Sequence, residues 1–453
     1  MMHAFPARTG LAAALLAMLA ACASYQPRPL ATGPSLLPGY ADIAVERGQI
    51  DLPELAAHPF DASAGLGMDD VAILAVVNNP DLRLARADAR IAHAQAFAAG
   101  LLPDPQVALT RDFPSNPQTS STSAFNLNLS QDINALIRRH FDSSAGRLEA
   151  RRSDLNLLWQ EWQLVARSRM LYVRLVQGQR LEAVLQKNRA LFNDRYQRTQ
   201  AALDRGLLTL DAVTPNLTAL QDVDRQLRDL ERQRSADRHE LNALLGLVPE
   251  APVPLKVAYA LPAIDEAQVL AALADLPRRR ADLLALQRGY QAEDRRYRAA
   301  LWGQFPSFSV GFTRARDTSG LYTSGFGITL TLPIFNANRG NIAIEEATRD
   351  KLRQDYQNRL NTAVGDVHRI LAEQRINARQ LQEVMQGLDA LERAADKAGQ
   401  AFRARQIDAL SFANLQASLL SKQVEAINLQ QSMLLQRVAL QALLGGALPA
   451  QSD

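Results

Sequence analysis

The sequence predicts a mostly helical chain with a membrane β-barrel that no single copy completes. The expected architecture is a long coiled-coil α-barrel plus four β-strands per protomer, twelve strands in a trimer, built by internal tandem duplication. Three observations carry this. Landmarks recur in the same order about 200 residues apart. Apolar residues keep a heptad spacing over very long stretches. Four short segments alternate apolar with polar or small residues.

The duplication comes first, because missing it would misassign the whole fold. Pro80 matches Pro277, Pro103 matches Pro306, and Val107 matches Val310. FNLNLSQDI from Phe125 matches FGITLTLPI from Phe326, and LNALLGL at 241–247 matches LQALLGG at 440–446. Each half therefore reads as a helix of about thirty residues, a hairpin, a long helix, a turn and another long helix.

From the N-terminus, residues 1–21 read as a signal peptide. Arg8 precedes a short apolar run, and Leu19, Ala20 and Ala21 lead to Cys22. That run is too short for a permanent membrane helix. Cys22 is the sole cysteine, which excludes an intrachain disulfide. Residues 22–67 open with a proline-rich stretch and read as an extended N-terminal tether. The first repeat is expected over 68–248, a linker over 249–274, the second repeat over 275–446, and a tail over 447–453.

The strands are expected at Gln106–Thr110, Phe125–Ile133, Ser307–Thr313 and Phe326–Leu332, with turn-rich loops at 112–123 and 314–324. Val107, Leu109, Phe125, Leu127, Leu129, Phe308, Val310 and Phe312 supply the apolar positions, as do alternate residues from Phe326 to Leu332. Such strands suit lipid on one face and water on the other. Four of them leave open edges, which hydrocarbon does not tolerate. Three copies would close a pore; two would fill their own interior. A pair of soluble hairpins would satisfy the alternation without a membrane.

The helices are proline-free from Asn341 to Arg405, a run of roughly 100 Å at 1.5 Å per residue. Leu381, Val384, Leu388, Leu391, Ala395, Ala398 and Phe402 keep a 3-4 spacing. Taken alone, this also fits a coiled coil without a conduit. The run DRQLRDLERQRSADRHE from Asp224 reads as a solvated helix face.

Together, the LAAC box, the tandem halves, the hairpins between helices and LPIFNANRGNIAIEEA resemble the outer-membrane factor family of TolC-type efflux channel lipoproteins. GLLPDPQVAL and LSQDINALIRR resemble the branch that works with resistance–nodulation–division pumps. The resemblance covers roughly residues 68–446. It implies a lipid-anchored homotrimer in the outer membrane, acylated at Cys22 and extending into the periplasm. That trimer would be the exit duct of a tripartite efflux system, with a periplasmic adaptor and an inner-membrane pump as partners. Pro333, Asn336 and Gly340 would turn the chain from barrel to tunnel. Arg205, Gly206, Leu207 and Asp211, with Arg405, Gln406 and Asp408, would form the tips that touch the adaptor. Gln406 stands where the second tip usually has glycine. The gate candidates are Arg205, Arg403, Arg405, Asp408, Ser411 and Asn414, with no acid in the LSFANLQ stretch.

Other chemistries find little support. The six histidines make no metal-ligand spacing. No cofactor and no enzyme activity are expected. Lys plus Arg number 50 against 47 acids, so the near-neutral balance argues against a nucleic-acid partner. A periplasmic structural coiled coil or an adaptor lipoprotein is the competing reading. An adaptor needs more strands than this chain offers.

Overall fold

A computed structural model describes residues 25–46, 48, 50, 52–115, 121–257, 264–404 and 406–446. Cys22, Arg405 and the tail at 447–453 lie outside the described residues. The chain divides into two units, the first ending at Leu36. Described residues 25–36 of that unit contain no helix or strand.

The second unit starts at Leu37, and here the expected tether ends early. Leu37 donates to the Gly246 carbonyl at 3.1 Å and accepts from Val248 at 2.9 Å. Helix α1 (Pro53–Ala57) follows, and Ile43, Ile50, Leu52, Leu55 and Leu66 are buried. Residues 37–67 thus belong to the folded body, because their scattered apolar residues close the first core.

Helix α2 (Met68–Asn78) supplies that core with Val71 through Val77, packed on Val165, Tyr172 and Leu241. The expected thirty-residue helix is broken: α3 (Pro80–Ala99) starts at a proline that cannot continue α2. Asn79 caps it, its Oδ1 accepting from Leu82 N at 2.9 Å. The second repeat has the same break. Helix α6 (Glu266–Ala274), α7 (Leu276–Arg279) and α8 (Ala281–Trp302) follow one another around Pro277. Helix α6 is the counterpart of α2 and packs Val269 into the second core with Leu276, Val367, Leu371 and Leu440. The repeat therefore begins within the expected linker, near Glu266 rather than at 275.

Two helices dominate the first repeat: α4 (Ile133–Asp204), with 72 residues or about 110 Å, and α5 (Leu210–Leu244). Their counterparts are α9 (Arg339–Arg403), with 65 residues, and α10 (Ala409–Leu444). Both halves end on a left-handed glycine, Gly246 (φ +67°) and Gly445 (φ +68°), which explains the repeated LLG.

The four strands are β1 (Gln106–Asp112), β2 (Ala124–Asp132), β3 (Ser307–Arg316) and β4 (Tyr322–Thr331). β1 and the second hairpin run further than expected, and the loop placed at 314–324 shrinks to a turn held by Asp317. The Asp317 carboxylate accepts from Ser319 N and Leu321 N, each at 2.9 Å. The two hairpins join through β2 and β3 into one antiparallel sheet of order β1-β2-β3-β4.

Candidate functional site

Antiparallel partners share a sheet face, so the register assigns the faces directly. Val107, Leu129, Phe312 and Phe326 form one row across all four strands. Val310 with Ile328 and Phe308 with Leu330 continue it toward the helices. Phe326 is 91% exposed, and Val107, Ile328 and Leu330 are also exposed. Phe312 and Phe326 pack ring to ring at 5.3 Å. The opposite face carries Gln106, Ser130, Gly311 and Gly327 in one row, and Ala108, Asn128, Thr313 and Gly325 in the next. No large apolar residue interrupts it. The sheet has one oily and one polar face, and its outer strands β1 and β4 have no partner on their far sides.

Below the apolar rows lies an aromatic fringe. Phe335 is 92% exposed, and Trp302, Phe305 and Ile334 are exposed beside the strand ends. The turn into α9 uses a different device from the expected one. Gly340 lies inside α9, and the left-handed residues are Ala337 (φ 44°) and Asn338 (φ 55°). Asn336 Oδ1 accepts from Asn338 N at 3.1 Å, Pro333 O accepts from Ala337 N, and Asn338 Nδ2 donates to Ala300 O at 2.8 Å. Asn336 and Pro333 thus take part in the turn; the strain sits on the two residues after Asn336.

At the far end of the long helices, Gly206 (φ +71°) makes the first tip turn, with Leu207 N donating to Ala202 O at 2.9 Å. Arg205, Leu207 and Asp211 are exposed. The second tip repeats the pattern: Gln406 N donates to Ala401 O at 2.8 Å. This aligns Gln406 with Leu207.

Asp408 caps α10, its carboxylate accepting from Ser411 N at 2.6 Å and Ser411 Oγ at 3.1 Å. Those bonds, the backbone one foremost, hold its carboxyl below the ordinary aspartate value. Arg403 donates to the Gly399 carbonyl, and Asn414 and Ser411 are exposed. Among the described residues, no Arg–Asp link joins the two tips within one chain.

A different residue, which the sequence did not single out, brings the tips together. Arg195 of α4 lies 3.7 Å over the Phe412 ring and 5.0 Å from Phe402, whose rings stand 5.2 Å apart. Phe412 is buried, and burial lowers the Arg195 guanidinium from its ordinary value. The first pair of long helices is thus joined to the second by cation–π contacts from Arg195 to two neighbouring rings.

The charged run in α5 is not a uniformly solvated face. Asp237 is buried, 3.7 Å from Arg174, and desolvation raises its carboxyl. Arg234 pairs with Glu182. In α8, the buried Glu293 is pushed up to about 7, chiefly by burial and then by Glu345 beside it. Among the described residues, no cluster of three or more His, Asp or Glu side chains could hold a metal, and no helix is long and apolar enough to cross a membrane.

Comparison with known proteins follows this geometry. Residues 272–446 match the outer membrane efflux protein family. SilC of Salmonella typhimurium, a probable outer membrane lipoprotein, is 25% identical over 177 residues, 37% of this chain and 38% of that protein. The chain thus spans less than half the length of this curated relative. Among solved structures, a membrane protein from Pseudomonas aeruginosa superposes with a TM-score of 0.73 at 21% identity, covering 93% of this chain and 99% of that one. The CmeC outer membrane channel of Campylobacter jejuni gives 0.72 at 17% identity, covering 95% and 96%. Along nearly its whole length the chain carries the fold of these two solved membrane proteins, and its residues 272–446 match the outer membrane efflux protein family.

Proposed function

We propose that this chain is one third of a trimeric outer-membrane channel, the exit duct of a tripartite efflux system. The sheet carries the reading: four strands with one oily face, one polar face and two open edges. Three copies joined β4 to β1 make twelve strands, with lipid outside and water inside. Cys22, acylated after removal of residues 1–21, anchors each chain. The long helices continue the duct through the periplasm, and the exposed tip residues Leu207, Leu208, Leu210 and Leu410 offer an apolar surface for a periplasmic adaptor. An inner-membrane pump of the resistance–nodulation–division type would load the duct with small molecules. The chain itself performs no bond chemistry in this role.

The test is reconstitution. Purified protein should migrate as a heat-dissociable trimer in detergent and conduct ions across a planar bilayer. Leu330→Arg places a charge on the oily face at a cost of roughly 2–4 kcal/mol per strand near the bilayer midplane, three times over in a trimer. It should abolish both trimer and conductance. A conducting Leu330→Arg protein would overturn the placement of this face against lipid, and a wild type that stays monomeric and silent would favour a periplasmic coiled coil without a pore.

A further inference from the structure

The oily face of the sheet does not end in uncharged residues. Beyond the row of Val107, Leu129, Phe312 and Phe326, moving away from the helices, the next row is Leu109, Leu127, Arg314 and Ser324. The row after that is Arg111, Phe125, Arg316 and Tyr322. Rows on one face are ~7 Å apart, and strands ~5 Å apart. Three guanidinium-bearing residues therefore emerge on the apolar face within about 12 Å of one another. Arg111 and Arg314 are exposed, and Arg316 is half-buried.

The nearby acids are committed elsewhere. Asp112 pairs with Ala124 on the polar face, and Asp317 is taken up by its own turn. The first hairpin loop, 113–123, contains no acid at all. Among the described residues, none of the three arginines makes an ion pair. Their present contacts are weak or uncharged. Arg111 Nη2 donates to Ser123 Oγ at 3.2 Å and the guanidinium lies 5.0 Å from the Phe113 ring. Arg316 lies 5.5 Å from the Tyr322 ring, and its buried Nε has no partner. The rings orient the guanidinium groups without neutralising them.

Arginine prefers planar, bidentate recognition of phosphate. A neighbouring copy would occupy the edges of β1 and β4 and leave this face open. What covers the face is lipid, and at this height the lipid presents headgroups. We infer that Arg111, Arg314 and Arg316 form a binding site for the phosphate of anionic lipids in the leaflet away from the helices. The site rests on the membrane placement proposed above.

Native mass spectrometry of the detergent-solubilised trimer tests this with phosphatidylglycerol against phosphatidylcholine. Both lipids carry a phosphodiester, but in phosphatidylcholine the choline cation neutralises it and competes with the arginines, so wild type should favour phosphatidylglycerol by about tenfold, the worth of one charged contact. The Arg111→Gln/Arg314→Gln/Arg316→Gln protein should lose that preference. Arg314→Gln alone should weaken it about threefold and guards against failed assembly of the triple variant. Arg138→Gln, at the opposite end of the sheet, should leave it unchanged. Retained preference in the triple and single variants overturns the site, as does displacement of the lipid by millimolar inorganic phosphate, which would mark a free-anion site. Flotation with vesicles separates the premises: wild type that does not float refutes membrane placement itself, whereas floating protein without lipid preference refutes only the arginine site.

Discussion

The two tips descend from one duplicated plan, yet they are built differently. In the first, Gly206 takes the left-handed turn in open space, and Thr209 precedes α5 without a side-chain cap bond. Leu207 and Leu210 are exposed around it. In the second, Asp408 at the position of Thr209 caps α10, and Phe402, Phe412 and Arg195 form a packed stack. One backbone hydrogen bond recurs in both turns, Leu207 N to Ala202 O and Gln406 N to Ala401 O; the side-chain fastening does not. The difference teaches that a repeat can keep its turn geometry while concentrating its anchoring in one copy, leaving the other free to present apolar surface.

The largest effect should come from Phe412→Ala. Truncating a buried Phe costs about 3–5 kcal/mol, and here it also removes the floor on which Arg195 rests. Amide exchange of residues 399–415 should accelerate strongly, while the first tip changes little. If both tips accelerate equally, the fastening is shared and the contrast drawn above is wrong. Gly206→Ala comes next, at about 1–2 kcal/mol, because an L-residue must adopt φ +71° there. No neighbour lies within 4 Å of the added Cβ, so conformation alone sets the cost. Thermal unfolding at unchanged midpoint would contradict that assignment.

Helix capping sharpens the comparison further. Asp408→Ala should lower the denaturant midpoint, whereas Thr209→Ala should barely move it because no cap bond is lost there. Equal losses in denaturant midpoint would mean that Thr209 does cap in solution. The smallest effect is acid sensitivity. The folded Asp408 carboxyl sits below its unfolded value, so its contribution is complete above about pH 4 and disappears as pH falls through the depressed value. Exchange at the second tip should rise selectively below pH 4 in wild type and not in Asp408→Asn, which keeps an accepting cap. A pH-independent wild type would remove the carboxylate from the cap.

Much of this was readable in the sequence because the signals are local. Strand alternation has period two, so Phe326, Ile328 and Leu330 declared their shared face without any partner strand. The duplicated prolines located the paired hairpins and, through Pro80 and Pro277, equivalent helix starts. The failures lie where structure depends on distant partners. Arg195 meets Phe402 and Phe412 across some 200 residues, and an arginine inside a charged helix carries no mark of that contact. Residues 37–67 looked like a tether because their prolines and glycines dilute the apolar pattern, yet Leu52, Leu55 and Leu66 close the core under α2. At the barrel-side turn, the resemblance points to Pro333, Asn336 and Gly340, but Ala337 and Asn338 carry the positive φ, and Asn338 is tied there by its bond to Ala300 O. Among the gate candidates, Asp408 is occupied by its own helix and Arg403 by the Gly399 carbonyl, contacts that a list of charges does not reveal.

The unpaired outer strands also govern how the molecule must be made. For the proposed trimer closed through β1 and β4, mass action makes the equilibrium amount follow the cube of the free-chain concentration, so a twofold fall in free chain would lower it about eightfold. Until closure, each chain exposes two rows of backbone donors and acceptors that can template the wrong partner. In the proposed membrane placement, insertion and association would be a single event, since hydrocarbon admits the sheet only once both edges are covered. The proposed lipid tail at Cys22 would hold each chain at one surface, restricting the search to two dimensions and raising the local concentration on which trimer formation depends.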